Sequence, residues 1–490
     1  MKFVSKGELE KKHRLIILTD MENEPDDSQT MVKLLMYANE VDIEGLIAVT
    51  SVHLPNMVFP ESIADRVNAY GVVRDHLMLH APGWPTAEEL MKKVAGGQRG
   101  YGMSAVGRGK STPGSEQIIR AVDKKDSRPV WVAVNAGSNT LAQALWDVRE
   151  SRSPKEVKAF VSKLRVYDDS GQDDAGAWMC SQFPDLFYIR SRYQVFGLFG
   201  PDEKCGPDVT YPLDHYHWAE LNVRTRHGVL GALYPQRFFS DGRFAFMDGG
   251  GTTTWLGLVN KGLFDPDHIT WGGWGGRFSD VAQQVPAGQM NCAEEERQYG
   301  SYRMYPQAAD TSFTCDANRI ESGGFMGFAD GTRFDWHYFA PLWRWRDAYL
   351  ADFKARMDWC VTDYLHANHH PVACLFGDAN RTVARFCAQA GEVCEFDASG
   401  SYDPDNRVRF FEPVKSTYKE QIDFKWYCYP EAGTYGGIVE VEQADGPVAR
   451  VRIPEDAAGK QIHIILEVHD RDEDAPLRSY RRIVIDVEEN

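Results

Sequence analysis

Five carboxylates fall within eight positions near the start of the chain: Asp20, Glu22, Glu24, Asp26 and Asp27 in "TDMENEPDD". The apolar run "RLIIL" precedes them, and "SQTMVKLLMYA", with helical spacing, follows. Helix capping and complementation of the helix dipole account for Asp26 and Asp27 in the first turn after Pro25. Glu22 and Glu24 can face water. Asp20, Asp26 and Asp27 converge on one point, and carboxylates that close raise one another's pKa. A hard divalent cation with oxygen ligands removes the conflict. No His or Cys lies in the turn, so calcium suits it better than zinc. A cap without a metal is the competing reading.

A second group of acids, "DDSGQDDAG" at residues 168–176, follows another strand-like run. Gln172 and Asp173 are its candidates for donor and acceptor to sugar hydroxyls, against the plainer reading of a solvated turn. His53, in "TSVHLPN", is placed to protonate a leaving group, although a lone loop histidine is more commonly a surface residue. Asn139, after the run "RPVWVAVNAG", is a further candidate for binding the substrate. Trp271 and Trp274, in "WGGWGG", are candidate stacking platforms for a sugar ring or a base. The chain lacks a helix-opening Lys in a glycine-rich loop and a GxGxxG after the first strand, which excludes a P-loop and a dinucleotide site.

These residues need a frame. Apolar runs alternate with helical patterns through the first part: "RLIILTD", "IEGLIAVTS", "RPVWVAVNAG" and "KLRVYDDS" each lead into a helix-like stretch. Near-continuous apolar strands predict a mostly parallel sheet with helices on both faces, an α/β domain over residues 1–370. Such sheets bind ligands at the carboxyl ends of their strands, where the acids fall. From residue 371 the texture changes to short alternating runs between turn signals, which predicts an all-β Ig-like sandwich over 371–490.

The 71 acids against 54 bases give a net charge of −17 and no basic block, which argues against nucleic acid. No long apolar run spans a membrane. The start, "MKFVSKGELEKKHRLIIL", has no apolar h-region and no cleavage site, and the nine cysteines form no CxxC pair. Both point to a cytoplasmic protein, although a trimmed secreted chain reads the same way. A homo-oligomer is compatible with all of this.

The acidic turn resembles the signature of nucleoside hydrolases. It is similar above all to a bacterial branch of nucleoside-hydrolase-like proteins described as cellulose-binding. The words that carry this second resemblance are "GYGM" 100–103, "GSNTLAQAL" 137–145, "LRVYDDSGQDDAGAW" 164–178, "WGGWGGRF" 271–278, "RWRDAYLADFKARMDW" 344–359 and "YPEAGTY" 429–435. The resemblance implies that Asp20 is a calcium ligand and the base that takes a proton from water. It implies Asp27 as a second ligand, Ser138 as a ligand through its backbone carbonyl, and Asp26 as the holder of a ring hydroxyl. The late acidic ligand falls to Asp248. Here the chain departs from the branch, which has Glu-Gly-Asp-Thr where this sequence reads Asp248-Gly249-Gly250-Gly251-Thr252. A second departure is Asn135-Ala136-Gly137 in place of Trp-Gly-Gly.

The expected function is calcium-dependent hydrolysis of an N- or O-glycosidic bond in a small glycoside or oligosaccharide, with inversion by direct attack of water. The competing reading is a carbohydrate-binding protein, specific for cellulose or another polysaccharide, that retains the ancestral metal site without turnover.

Overall fold

The computed structural model describes residues 1–6, 11–23, 25–191, 218–238, 244–245, 249–263, 265, 267–286, 293–313, 336–405, 421–472 and 476–489. The α/β unit runs β2 (His13–Thr19), α1 (Pro25–Leu35), β3 (Val41–Ala48), α2 (Pro60–His80), α3 (Ala87–Met91), β4 (Val94–Gly96), α4 (Pro113–Asp123), β5 (Val130–Val134), α5 (Asn139–Ser151), α6 (Pro154–Ser162), β6 (Leu164–Asp169), α7 (Ala175–Gln182) and β7 (Phe187–Ser191). These strands lie parallel in the order β7-β6-β5-β2-β3-β4. Ser301–Pro306 adds a parallel strand beside β7, and antiparallel Gln283–Pro286 closes that edge.

The apolar run of β2 divides between two cores, as the two-residue period of a strand requires. Leu15 and Ile17 face one core, and Ile16 and Leu18 the other. Burial on both faces is why the run reads as continuous rather than alternating. Thr86, Thr112 and Ser153 close the starts of α3, α4 and α6 with reciprocal capping bonds.

The β-rich unit has a five-stranded sheet in which Ala384–Ala388, Arg478–Val487, Gln461–Asp470 and Ile422–Cys428 follow a first strand, β1 (Lys2–Lys6). A three-stranded sheet of Val393–Asp397, Val448–Arg452 and Val441–Glu442 shares its core through Phe386, Phe396, Trp426, Val451 and Ile464. The chain therefore begins in the unit where it ends, which a division at residues 370 and 371 does not capture.

The two units are fused by one apolar core. Tyr429, Ala432, Ile465 and Tyr480 of the β-rich unit lie in the same cluster as Leu15, Trp255 and Trp345. The ring of Trp345 meets Tyr480 at 5.5 Å and Tyr429 at 6.0 Å. Strand Arg478–Val487 also bonds to the segment 261–263, with Tyr480 N donating to Lys261 O at 3.0 Å and Arg482 N to Gly262 O at 2.9 Å. Gly262 has φ +88°, and a Cβ there would stand 1.9 Å from Tyr480 O, so no other residue fits the approach.

Trp271 and Trp274 belong to this junction, which corrects their reading as stacking platforms. They are 3% and 2% exposed. Trp271 stacks on His268 at 4.0 Å and packs with Val383 and Val484 of the β-rich unit. Trp274 meets Tyr349 at 6.3 Å. Neither ring offers a face to a ligand.

Candidate functional site

The carboxyl ends of β2, β3, β5 and β6 open on one edge of the sheet. Asp20 follows β2, Ser51 lies three residues past β3, Asn135 follows β5 and Asp169 ends β6. Asp20 and Asp27 are 4% and 5% exposed, and Asp26 is half-buried. The hydroxyl of Thr19 donates to Asp27, and Asp27 in turn bonds the carboxyl of Asp20. Ser51 donates to Asp20 Oδ2, while its oxygen accepts the backbone N–H groups of His53 and Leu54 at 3.0 Å. Burial pushes the Asp20 carboxyl up to about 7; the hydrogen bonds from Ser51 and Asp27 oppose this, and the charge of Asp26 adds to it.

Asp169 belongs to the same group. Its carboxyl is held well above the ordinary range by burial, by Asp168 and by the charges of Asp26 and Asp27. Its bond from Ser170 Oγ is 2.7 Å, and Ser170 has φ +66°, an unfavourable conformation for a residue other than glycine. Neighbouring Asp168 turns away into a buried network. It accepts from Arg190 Nε at 2.6 Å and Tyr188 at 2.7 Å, and Arg190 reaches Glu296 at 3.0 Å. That network fixes the end of β6 and so aims Asp169.

Gln172, Asp173 and Asn139, the candidates for holding sugar hydroxyls, each make hydrogen bonds within the protein. Asp173 accepts from Ser138 Oγ at 2.9 Å, Asn139 N at 3.0 Å and Ala175 N at 3.0 Å, so it caps the starts of α5 and α7. Burial pushes it up to about 7 against these bonds. Asn139 Nδ2 donates to Gly100 O at 2.7 Å and ties α5 to the "GYGM" loop. Gln172 Nε2 donates to Asn135 O at 2.9 Å, and its own carbonyl accepts from Val52 N at 2.9 Å. Each thus ties neighbouring loops or helix starts together, while Asn139 Oδ1 and Gln172 Oε1 are left without a partner. His53 is exposed, and its backbone N–H donates to Ser51 Oγ, which in turn donates to Asp20. Glu22 is drawn off by Ser62 and by Arg66 at 3.2 Å.

For the metal, Asp20 and Asp27 are hard oxygen donors in direct contact, which suits calcium by chemistry. The Ser138 carbonyl accepts from Ala142 N at 3.1 Å as the first bond of α5. Asp248 lies outside the described residues. Among the described residues, no three His, Cys, Asp or Glu side chains stand together as an ion cage.

The two departures from the branch pattern touch one another. A Cβ at Gly251 would stand 2.3 Å from Cγ and Nδ2 of Asn135. Asn135 is 1% exposed, accepts from Thr254 Oγ1 at 2.7 Å and leaves Nδ2 without a partner. An amide thus fills the space beside the position where the branch carries an acid. Gly251→Ala is expected to lower the melting temperature, and adding Asn135→Gly to recover part of the loss. A coupling of about 0.5–3 kcal/mol is the range for side chains in contact. Additive losses in a thermal-melting cycle would show that the two positions do not meet.

Comparison with known proteins yields two family matches: "Cellulose-binding Sde182, nucleoside hydrolase-like domain" over residues 14–278, and "Cellulose-binding protein Sde0182, C-terminal domain" over 393–487. A solved nucleoside hydrolase-related protein of Saccharophagus degradans, described as associated with carbohydrate metabolism, is 37% identical. It covers 98% of this chain and 100% of its own, with a TM-score of 0.79. An endo-fucoidan hydrolase of glycoside hydrolase family 107 covers 97% of this chain and 67% of its own at 11% identity, and its TM-score of 0.16 carries no argument. No curated protein matches. Among the described residues, no helix is long and apolar enough to cross a membrane.

Proposed function

The chain belongs to the cellulose-binding family with a nucleoside hydrolase-like domain, and we propose that its acidic cleft takes a carbohydrate and hydrolyses a glycosidic bond. The observation that carries this reading is the Asp20–Asp27 contact at the end of the central strand, with Asp26 and Asp169 facing it. In the proposed reaction Asp20, oriented by Ser51, accepts the proton of the attacking water. Asp26 and Asp169 accept hydrogen bonds from ring hydroxyls and hold the ring as positive charge develops on it. His53 is the candidate donor to the leaving group. Attack by water on the face opposite the leaving group gives inversion.

By donor type Asp20 and Asp27 would hold calcium, with the Ser138 carbonyl and Asp248 as the further ligands that the family resemblance implies. When bound, such an ion lowers the pKa of a neighbouring water and neutralises the crowded carboxylates. The test is metal analysis of the full chain purified without chelator. About one calcium per chain is expected, lost in Asp27→Ala together with the rise in melting temperature that calcium gives wild type. Wild type that takes up no calcium at millimolar concentration would rule the metal out.

Binding without turnover is the second reading. It is favoured by the packing of Asn135 against Gly251, which puts an N–H donor where the branch has a carboxylate.

A further inference from the structure

In the β-rich unit the turn Phe376–Gly377 is held against the preference of its first residue. Leu375 and Asp378 exchange both backbone bonds, Leu375 N donating to Asp378 O at 2.9 Å and Asp378 N to Leu375 O at 3.0 Å. Between them Phe376 has φ +52° and Gly377 φ +76°. Two positive φ values in succession are the pattern of a two-residue hairpin turn that favours Asn-Gly or Asp-Gly. A bulky residue is an outlier there, and the conformation costs about 1–3 kcal/mol. Phe376 N donates to Asp397 O at 2.7 Å, which pins the turn to the strand Val393–Asp397.

The ring that this conformation holds out is not absorbed by the core. Phe376 is 50% exposed. It meets Phe386 at 6.1 Å and Phe396 at 6.3 Å, both of them buried. Phe3, on β1, is 49% exposed and meets the same Phe386 at 5.4 Å. Two half-exposed phenyl rings thus rest on one buried ring.

We propose that Phe376 and Phe3 form a stacking platform for the pyranose rings of an extended, neutral glucan. A pyranose packs its face of C–H bonds on an aromatic ring and keeps its hydroxyls in water. Two open rings without an enclosing pocket suit a chain of sugars, whose affinity accumulates over several units, better than a single sugar. The net charge of −17 disfavours an acidic polysaccharide. A stable protein partner needs about 800 Å² on each side, whereas a whole aromatic side chain offers about 150–250 Å² and these two are half covered. The proposal rests on the reading of the chain as a carbohydrate binder, and it uses no residue of the acidic cleft.

The experiment is retention of the full chain on microcrystalline cellulose and calorimetry with cellohexaose, each beside thermal melting. Wild type, Phe376→Asn and Asp20→Asn are compared. Asparagine accepts positive φ, so Phe376→Asn should keep or raise the melting temperature while weakening glucan binding about fivefold or more. A ring that served packing alone would show the reverse, a lower melting temperature with binding unchanged. Asp20→Asn should be retained like wild type. Phe3→Ala, at the other ring, repeats the test should the turn variant fail to fold. Wild type that binds neither glucan, equal binding by wild type and both ring variants, or a self-association lost in Phe376→Asn without glucan binding would overturn the platform. Failure on these glucans leaves the cleft reading standing, since that is judged on hydrolysis of small glycosides and nucleosides.

Discussion

Asp20→Asn is expected to lower glycoside turnover by about two to four orders of magnitude, the usual loss when a general base is removed. Asn keeps the size and one oxygen of the side chain but cannot take the proton from water. The loss should fall on kcat, with KM within a few-fold of wild type, because the base acts as the bond breaks rather than when the sugar binds. Asp26→Asn should instead weaken binding as well, since a ring hydroxyl is held both before and during cleavage. The same Asp20 variant has a signature in stability. The folded pKa of Asp20 is raised to about 7, so native wild type keeps a proton that the unfolded chain has released. Stability of wild type in chelator therefore falls, relative to Asp20→Asn, as pH rises from about 4 to about 7. Calcium, by occupying the carboxylates, should reverse that order. Denaturation of both proteins across this pH range, with and without calcium, checks the sign. A difference that does not change with pH would show that Asp20 is not held in a buried, crowded environment.

Arg190→Met is expected to cost about 3–5 kcal/mol, because it leaves Asp168 and Glu296 buried without their common cation. All three side chains are 0–1% exposed, so water cannot take over. Arg190→Lys should lose less, keeping the charge without the planar fork that reaches both acids. Urea unfolding at neutral pH reads the effect as a lower midpoint with the slope retained. Because the network aims the end of β6, both variants should also weaken any ligand that Asp169 holds. A loss below about 1 kcal/mol would mean that the network does not support the strand.

The elements that position the cleft were legible because their signals are local. The runs at residues 14–18 and 130–134 carry burial on both faces, and Asp26 and Asp27 sit in the first turn of the helix that Pro25 begins. What misled lay in partners distant in sequence. Asp173 reads as a sugar acceptor until Ser138 and Asn139, more than thirty positions earlier, are seen to donate to it. Trp271 reads as a platform because an aromatic between glycines has one appearance in sequence, whether it faces a sugar or His463 of another unit. Pairing of Lys2–Lys6 with Ala384–Ala388 leaves no local trace. Asp169 carried a signal that went unused. Alternation along β6 sends adjacent Asp168 and Asp169 to opposite faces, so only one of them can join the Arg190 network and the other is left for the cleft.

The most direct measurement is hydrolysis of a panel of nitrophenyl glycosides, cello-oligosaccharides and nucleosides by the full chain, in calcium and in chelator, beside Asp20→Asn. The account predicts turnover of at least one class with inversion at the anomeric carbon, lost in chelator and in Asp20→Asn. Sugar binding without cleavage of any class, at an affinity unchanged by Asp20→Asn and Asp27→Ala, would contradict it.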